Sequence, residues 1–318
     1  MTWSRKQHVK NDLIYIGARL CLGCISSLSN DGATDLGAAL GRLGFHLARK
    51  DAKIALSNIE KAMGRDIGPG EIRQIAIGCF EHLGTCAGEL ASVLSGKLDP
   101  IKQVQIDDED KKNLERALSL GRGVVAVTAH LGNWELLAMA LAEMGFPINT
   151  VARRSYDKRF GEMINRFRES HGVHCLYRGD PSLVENATAK LGKNEVLGLL
   201  IDQDTKVPGV FVEFFGRPAY TPTGAAVLAK KSNCPLLTIF THRTKTGIHK
   251  IEIMRPIDKS RAKDWKQAVL EDTQALTRRI EIQIKRHPSQ WVWMHKRWNT
   301  RPGSTGSGNT ISGNTISK

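Results

Sequence analysis

Residues 121–145, GRGVVAVTAHLGNWELLAMALAEMG, constrain the fold of this chain more than any other stretch. The apolar run Val124-Val125-Ala126-Val127 has the length and composition of a short buried strand. Leu131-Gly132-Asn133 breaks the pattern, and an apolar helical repeat follows with Glu135 near its start. Strand, tight turn and helix put His130 and Glu135 at the C-terminal end of a strand, beside a helix N-terminus. Open α/β sheets bind their ligands at such places.

The remaining sequence repeats this alternation. Strands are predicted at 147–152, 173–177, 196–201, 235–242 and 249–254, with 209–219 a hydrophobic loop or strand. Helices are predicted at 32–64, 70–95, 107–119, 182–191, 223–231 and 262–286. A further helix carries Phe160, Ile164 and Phe167 on one face. The chain is therefore expected to form a single α/β domain over 31–302, with a central mixed, largely parallel sheet flanked by helices. Residues 303–318 are small, polar and repetitive, and are expected to be disordered.

Residues 1–30 form a basic N-terminus followed by the apolar segment 13–28, interrupted by Arg19. That segment falls short of the ~20 residues that span a bilayer, and basic residues flank both its ends. No uninterrupted apolar region and cleavage site mark a signal peptide. A membrane-associated helix lying in the interface fits best, with a single span or a buried first helix as alternatives.

Lys and Arg outnumber Asp and Glu by 46 to 32, a formal charge of +14. Such a surplus suits an anionic partner or a solvated basic surface. Aromatics make up only 6% and no basic stretch is interleaved with them, which disfavours nucleic acid. Of six cysteines, Cys21 and Cys24 form a C-x-x-C, but no second Cys/His pair follows at zinc spacing. They read as small hydrophobes in a reducing compartment.

With ten histidines and 32 acids, a His-x4-acid spacing is unremarkable, and two occur: His46…Asp51 and His130…Glu135. The first lies in a continuous helical pattern, where positions five apart point about 140° from each other. The second is broken by a turn, which lets the histidine fold back toward the carboxylate. Glu135 would then accept one imidazole N–H, fix the tautomer and raise the basicity of the other nitrogen. The alternative is an acidic residue in a first helical turn beside a loop histidine.

The block GVVAVTAHLGNWELLA closely resembles the active-site block of the bacterial lipid A biosynthesis (lauroyl/myristoyl) acyltransferases, part of the His-x4-Asp/Glu glycerolipid acyltransferase group. LGLLIDQDTKVPGVFVEFFGRPAYTPTGAAVLAKKSNCPLL and HPSQWVWMHKRWNTRP resemble two further signatures of that family, in the same order. The likeness runs from about residue 10 to residue 302. Glu213 departs from it, standing where a proline or small residue is expected.

The resemblance implies a glycerol-3-phosphate acyltransferase-like fold. It implies transfer of an acyl chain from acyl carrier protein to a hydroxyl of a phosphorylated lipid A precursor, at the cytoplasmic face of a bacterial inner membrane. His130 would be the general base, oriented by Glu135, and the hydroxyl would attack the thioester without an acyl-enzyme. Gly132 and Asn133 are candidates for the oxyanion hole, and neither cofactor nor metal is called for. Arg153 and, less strongly, Arg154 are candidates for phosphate, against an exposed basic turn. Asp202 either orders Arg153 or the acceptor sugar, or caps a turn, and Asp204 is a weaker candidate. Phe214-Phe215-Gly216 and Thr221 are candidate groove residues, and Arg297 a candidate for phosphate. Trp291, Trp293 and Trp298 suit a core or an interfacial belt. Basic charge then serves an acidic carrier protein, a phosphorylated lipid and an anionic membrane surface together. Two other functions compete: the same chemistry on a glycerolipid, ornithine lipid or glycolipid, and a non-catalytic basic membrane-binding protein.

Overall fold

The computed structural model describes residues 11–12, 15–17, 23–155 and 157–303. Much of the segment 13–28, and the tail from 304, lie outside the described residues. Among the described residues, no helix is long and apolar enough to cross a membrane.

Described residues 23–27 are helical, and three long helices follow before the sheet: α1 (Asn30–Leu47), α2 (Arg49–Met63) and α3 (Pro69–Leu94). The predicted helix 32–64 is broken at Ala48, whose φ of −84° and ψ of 58° leave the helical region. No glycine or proline announces that break. It separates His46 from Asp51, so the unpairing of these two rests on the break rather than on a helical wheel. α1 crosses α3 closely. A Cβ on Gly37 would sit 2.2 Å from the Gly84 carbonyl oxygen, so only glycine allows this approach. Seating the small face inward turns Leu36, Leu40, Leu43 and Leu47 outward, and Leu47 is 73% exposed.

The sheet domain follows as β1 (Val104–Ile106), α4 (Asp108–Leu118), β2 (Val124–Thr128), α5 (Trp134–Glu143), β3 (Ile148–Arg153) and α6 (Lys158–Ser170). It continues as β4 (His174–Arg178), α7 (Leu183–Gly192), β5 (Val196–Leu200), β6 (Gly209–Phe214), β7 (Arg217–Pro222) and α8 (Gly224–Lys231). β8 (Leu236–Arg243), β9 (His249–Ile253) and α9 (Trp265–Arg286) complete it. Seven strands form the main sheet in the order β1-β9-β8-β2-β5-β3-β4. Every pairing is parallel except β8 with β9, as expected for a mixed, largely parallel sheet. β1 escapes sequence reading because three residues carry too little periodicity. Residues 209–222 form a separate antiparallel hairpin, β6 with β7, packed on α9. Glu213 lies exposed on this hairpin, its backbone N–H and carbonyl bracketed by the Gln274 amide at 2.7 and 2.9 Å.

Apolar residues fill both faces of the sheet. Val125, Val127, Leu197 and Phe240 pack toward α9, while Val124, Ala126, Val196 and Ile239 pack toward α5. β2 lies central, so its C-terminal end opens between these two layers.

Candidate active site

The loop after β2 is held from both sides. The His130 backbone N–H donates to Asp202 Oδ2 at 2.9 Å, and its carbonyl accepts the Val292 N–H at 3.1 Å. Leu131 bridges to Trp291, and the Gly132 N–H donates to the Gln290 carbonyl at 3.0 Å. Gly132 has φ +60°, and a Cβ there would lie 2.2 Å from the Thr241 oxygen, so no other residue fits. Asn133 then caps α5, its Oδ1 accepting the Leu136 N–H at 3.1 Å.

β5 pairs in parallel with β2, Thr128 opposite Leu200, and delivers Asp202 beside His130. His130 Nδ1 donates to Asp202 Oδ1 at 2.9 Å, and Trp291 Nε1 donates to Oδ2 at 2.7 Å. The Asp202 side chain is fully buried and that of His130 is 25% exposed. Burial alone would push the Asp202 carboxyl up. The His130 charge and the three hydrogen bonds hold it below the ordinary aspartate range instead. An ionised carboxylate only accepts, so Nδ1 carries a proton, and in the neutral imidazole the lone pair is then on Nε2. Trp134 packs edge-on against the imidazole, with ring centroids 5.0 Å apart.

The partner of His130 is therefore Asp202, not Glu135. Glu135 sits in the first turn of α5 and turns to Arg168 of α6, which grips it side-on through Nε and Nη2, Nε to Oε2 at 2.8 Å. Burial would lower Arg168; the Glu135 carboxylate raises it above its ordinary value. The spacing placed an acid near the histidine, but a strand neighbour 72 residues away reaches the imidazole first. Of the backbone groups of Gly132 and Asn133 expected at the oxyanion, the Gly132 N–H is turned elsewhere. The Gly132 N–H is committed to Gln290, and the Asn133 amide is buried against Glu89 at 2.9 Å.

His130 opens into a cavity of about 890 Å³. Thr128, Trp134, Glu135, Arg168, Arg153 and Arg178 stand around its polar part. Leu137, Leu141, Ile148, Val173 and Val196 form its apolar depth, between α5 and the starts of the strands. Arg154 does not line it; its guanidinium stacks on the ring of Tyr177, a lining residue, at 4.4 Å. Phe214, Phe215 and Thr221 are buried in the core beneath, so the groove wall is formed by their neighbours Val207, Pro208 and Pro222.

The C-terminal signature is structural. Trp291 and Trp293 are core residues, and Trp298 packs against the same core. Arg297 is fully buried, donating to the Tyr220 carbonyl and Thr221 Oγ1 at 2.6 Å each, which takes it out of reach of phosphate. Burial lowers it to about 10, with Asp202 and Asp204 opposing. Asp204 secures the end of this strap through the Thr300 N–H and hydroxyl at 2.7 and 2.9 Å.

A second buried network supports the loop from below. Glu89 of α3 is wholly buried and accepts from His249 Nε2, Asn133 Nδ2 and Arg243 Nε, each at 2.9 Å. Burial raises its carboxyl, and these partners bring it below the ordinary range. Glu89 falls on the helical row through Cys79, His82, Cys86 and Val93, a carboxylate on an apolar stripe, and that was its signal in the sequence. Arg168 and Arg178 carried no comparable signal.

His82, two turns away, is pushed down to about 4 by burial, against the raising effect of the Gly132 backbone. Its folded value lies below the ~6.5 of a free imidazole, so the unfolded chain takes up the proton first as pH falls. The stability this neutral histidine contributes is present above pH 6.5 and is lost on the way down to pH 4, as much as about 3 kcal/mol. Urea midpoints measured from pH 7.5 to 4.5 are expected to fall, and His82→Gln to flatten the fall. The same pH slope in the variant would contradict this.

Among the described residues, His242, Glu252 and His287 approach within metal-ligand range of one another. The two imidazoles are stacked, with centroids 3.8 Å and planes 12° apart, so their lone pairs run parallel rather than converge. Glu252 already accepts from Gln283 at 2.8 Å and lies beside Arg286. The trio reads as a packed polar cluster.

Comparison with known proteins identifies the family. A mycobacterial relative from Mycobacterium tuberculosis, named phosphatidylinositol mannoside acyltransferase, is 31% identical over 188 residues, covering 58% of each chain. One of the same name from Mycolicibacterium smegmatis is 29% identical over 246 residues, 76% of this chain and 77% of that one. The lipid A biosynthesis palmitoleoyltransferase of Escherichia coli is 25% identical over 271 residues, 84% and 85% of the two chains. The family model for bacterial lipid A biosynthesis acyltransferases matches residues 4–300. With a buried aspartate holding a histidine at the mouth of an apolar cavity, this chain belongs to the bacterial lipid A biosynthesis acyltransferase family.

Proposed function

We propose that this acyltransferase moves a fatty acyl chain from acyl carrier protein to a hydroxyl of a lipid A precursor. The observation that carries this reading is the His130–Asp202 pair opening into a long apolar cavity. His130 Nε2 removes the proton of the acceptor hydroxyl, and the oxygen attacks the thioester carbonyl. The imidazolium is stabilised by Asp202 across 2.9 Å. As the tetrahedral intermediate collapses, the C–S bond breaks and the imidazolium returns its proton to the leaving thiolate. No acyl-enzyme forms. With the Gly132 N–H committed elsewhere, the developing oxyanion falls to the first-turn N–H groups of α5, Trp134 and Glu135, which have no partner within the helix. No cofactor enters this scheme.

The acyl chain lies between α5 and β2, β5 and β3, with Leu141, Ile148, Val173 and Val196 as the floor. From Leu200 down to Val196, β5 descends about 13 Å. Gly198 lies midway, between Ala126 and Thr150, and lines the cavity. Gly198→Leu is expected to shorten the accepted chain by several carbons, read by mass spectrometry of products from a mixed-chain donor pool. An unchanged product distribution would place the chain elsewhere.

The leucine row of α1, with Arg42, Arg49, Lys50 and Lys53 beside and after it, suits docking on an anionic bilayer surface at the cytoplasmic face of the inner membrane. The mycobacterial relatives favour a second reading, the same transfer to another glycolipid. Incubating the protein with acyl carrier protein thioester and a panel of lipid A precursors, mannosylated phosphatidylinositols, glycerolipids and ornithine lipids separates the two. Acylation of the lipid A precursor alone supports the first reading. Acylation of another acceptor in its place supports the second, and acylation of none removes both.

A further inference from the structure

At the outer end of the cavity two arginines stand side by side. β3 and β4 are parallel neighbours, and their final residues, Arg153 and Arg178, are register partners. Both line the cavity that contains His130. Arg178 is half-buried, and among the described residues it has no ion pair. The nearest carboxylate in sequence, Asp180, accepts the Ser182 N–H at 3.0 Å instead. Burial and the charge of Arg153 together hold Arg178 below its ordinary value. Two guanidinium groups on adjacent strand ends present converging N–H donors to an anion that lies between them.

We propose that Arg153 and Arg178 form a phosphate subsite, which holds the phosphate of a substrate while its reacting group lies at His130. This deepens the acyl-transfer reading and rests on it. Two guanidinium groups match a tetrahedral phosphate by paired N–H···O bonds, whereas a carboxylate needs only one. The sheet order sets the reach. β3 lies two strand spacings from β2 and β4 lies three, so the pair stands about 10 and 14 Å from His130 along the sheet. A phosphate bound there belongs to a group several bonds away from the hydroxyl or the thioester. Two sources share that chemistry, the phosphate at the end of the donor's pantetheine arm and a phosphate on the acceptor lipid.

Titration calorimetry on the purified full chain tests this with two matched pairs of ligands. Dodecanoyl-phosphopantetheine is compared with dodecanoyl-pantetheine, and a phosphorylated lipid A precursor with its dephosphorylated form. The wild type is expected to bind the phosphate-bearing member of one pair at least about tenfold more tightly. The pair that shows the preference identifies the source. Arg178→Gln is expected to bring that ratio close to one, and Arg178→Lys to restore part of it. Equal ratios in wild type and Arg178→Gln, or no phosphate preference in either pair, would overturn the subsite. Turnover of the same ligands, measured in parallel, keeps the two claims apart. Loss of phosphate selectivity without any acyl transfer by the wild type would sink the transferase reading and leave the subsite standing. Acyl transfer with unaltered selectivity in the variant would do the reverse.

Discussion

Asp202→Asn is expected to lower kcat by about 10³- to 10⁴-fold. The reason lies in what surrounds the carboxylate. Oδ2 accepts two donors, the His130 N–H and the Trp291 indole, and Oδ1 accepts His130 Nδ1–H. An asparagine has one oxygen and one NH₂ for these two places. With the oxygen facing Trp291, the NH₂ faces Nδ1 and forces the proton onto Nε2, the atom that must accept it. With the orientation reversed, the NH₂ confronts two donors. The first orientation keeps every buried donor partnered but fixes the wrong tautomer; the second leaves two buried donors without an acceptor, a stability loss of about 1–3 kcal/mol. Steady-state kinetics with a folded variant check this, and a loss under about tenfold would remove Asp202 from the mechanism.

Glu89→Leu is expected to destabilise the fold by about 3–5 kcal/mol. It removes the acceptor for His249, Arg243 and Asn133 at once, in a place where the Glu89 and His249 side chains have no exposure. Arg243 then becomes a partly buried charge with its main counter-charge gone. Breaking one side of a buried pair costs more than the pair contributes, because the other charge stays behind. Glu89→Gln keeps the shape and two acceptor lone pairs, so it is expected to cost less. Equilibrium urea unfolding distinguishes the two. A Glu89→Leu protein as stable as the wild type would show that the network is dispensable. The Asn133 cap of α5 hangs on Glu89, so activity is expected to fall further than stability alone explains.

The strand–turn–helix at 121–145 was legible because each level agreed: a valine-rich run, a glycine where φ is positive, an asparagine at the N-cap, then an apolar helix. The largely parallel sheet followed from the alternation of elements. What escaped was long-range. The partner of His130 lies 72 residues away, just past the end of the next strand in the sheet, and nothing local distinguishes Asp202 from a turn residue. The His130…Glu135 spacing drew attention to the right loop for a reason that the side chains do not honour, since Arg168 captures Glu135. Arg178 became visible only through its register with Arg153. The apolar floor of the cavity could not be read because its residues come from four separate elements and look like ordinary core.

Acyl transfer by the wild type and by His130→Ala tests the central claim most directly. Purified proteins are incubated with labelled acyl carrier protein thioester and the acceptor panel, and lipid products are quantified by mass spectrometry. The expected result is transfer by the wild type and a drop of at least about 10³-fold in the variant, with its unfolding midpoint retained. Equal transfer by the two proteins would contradict the role given to His130, and with it the part assigned to Asp202.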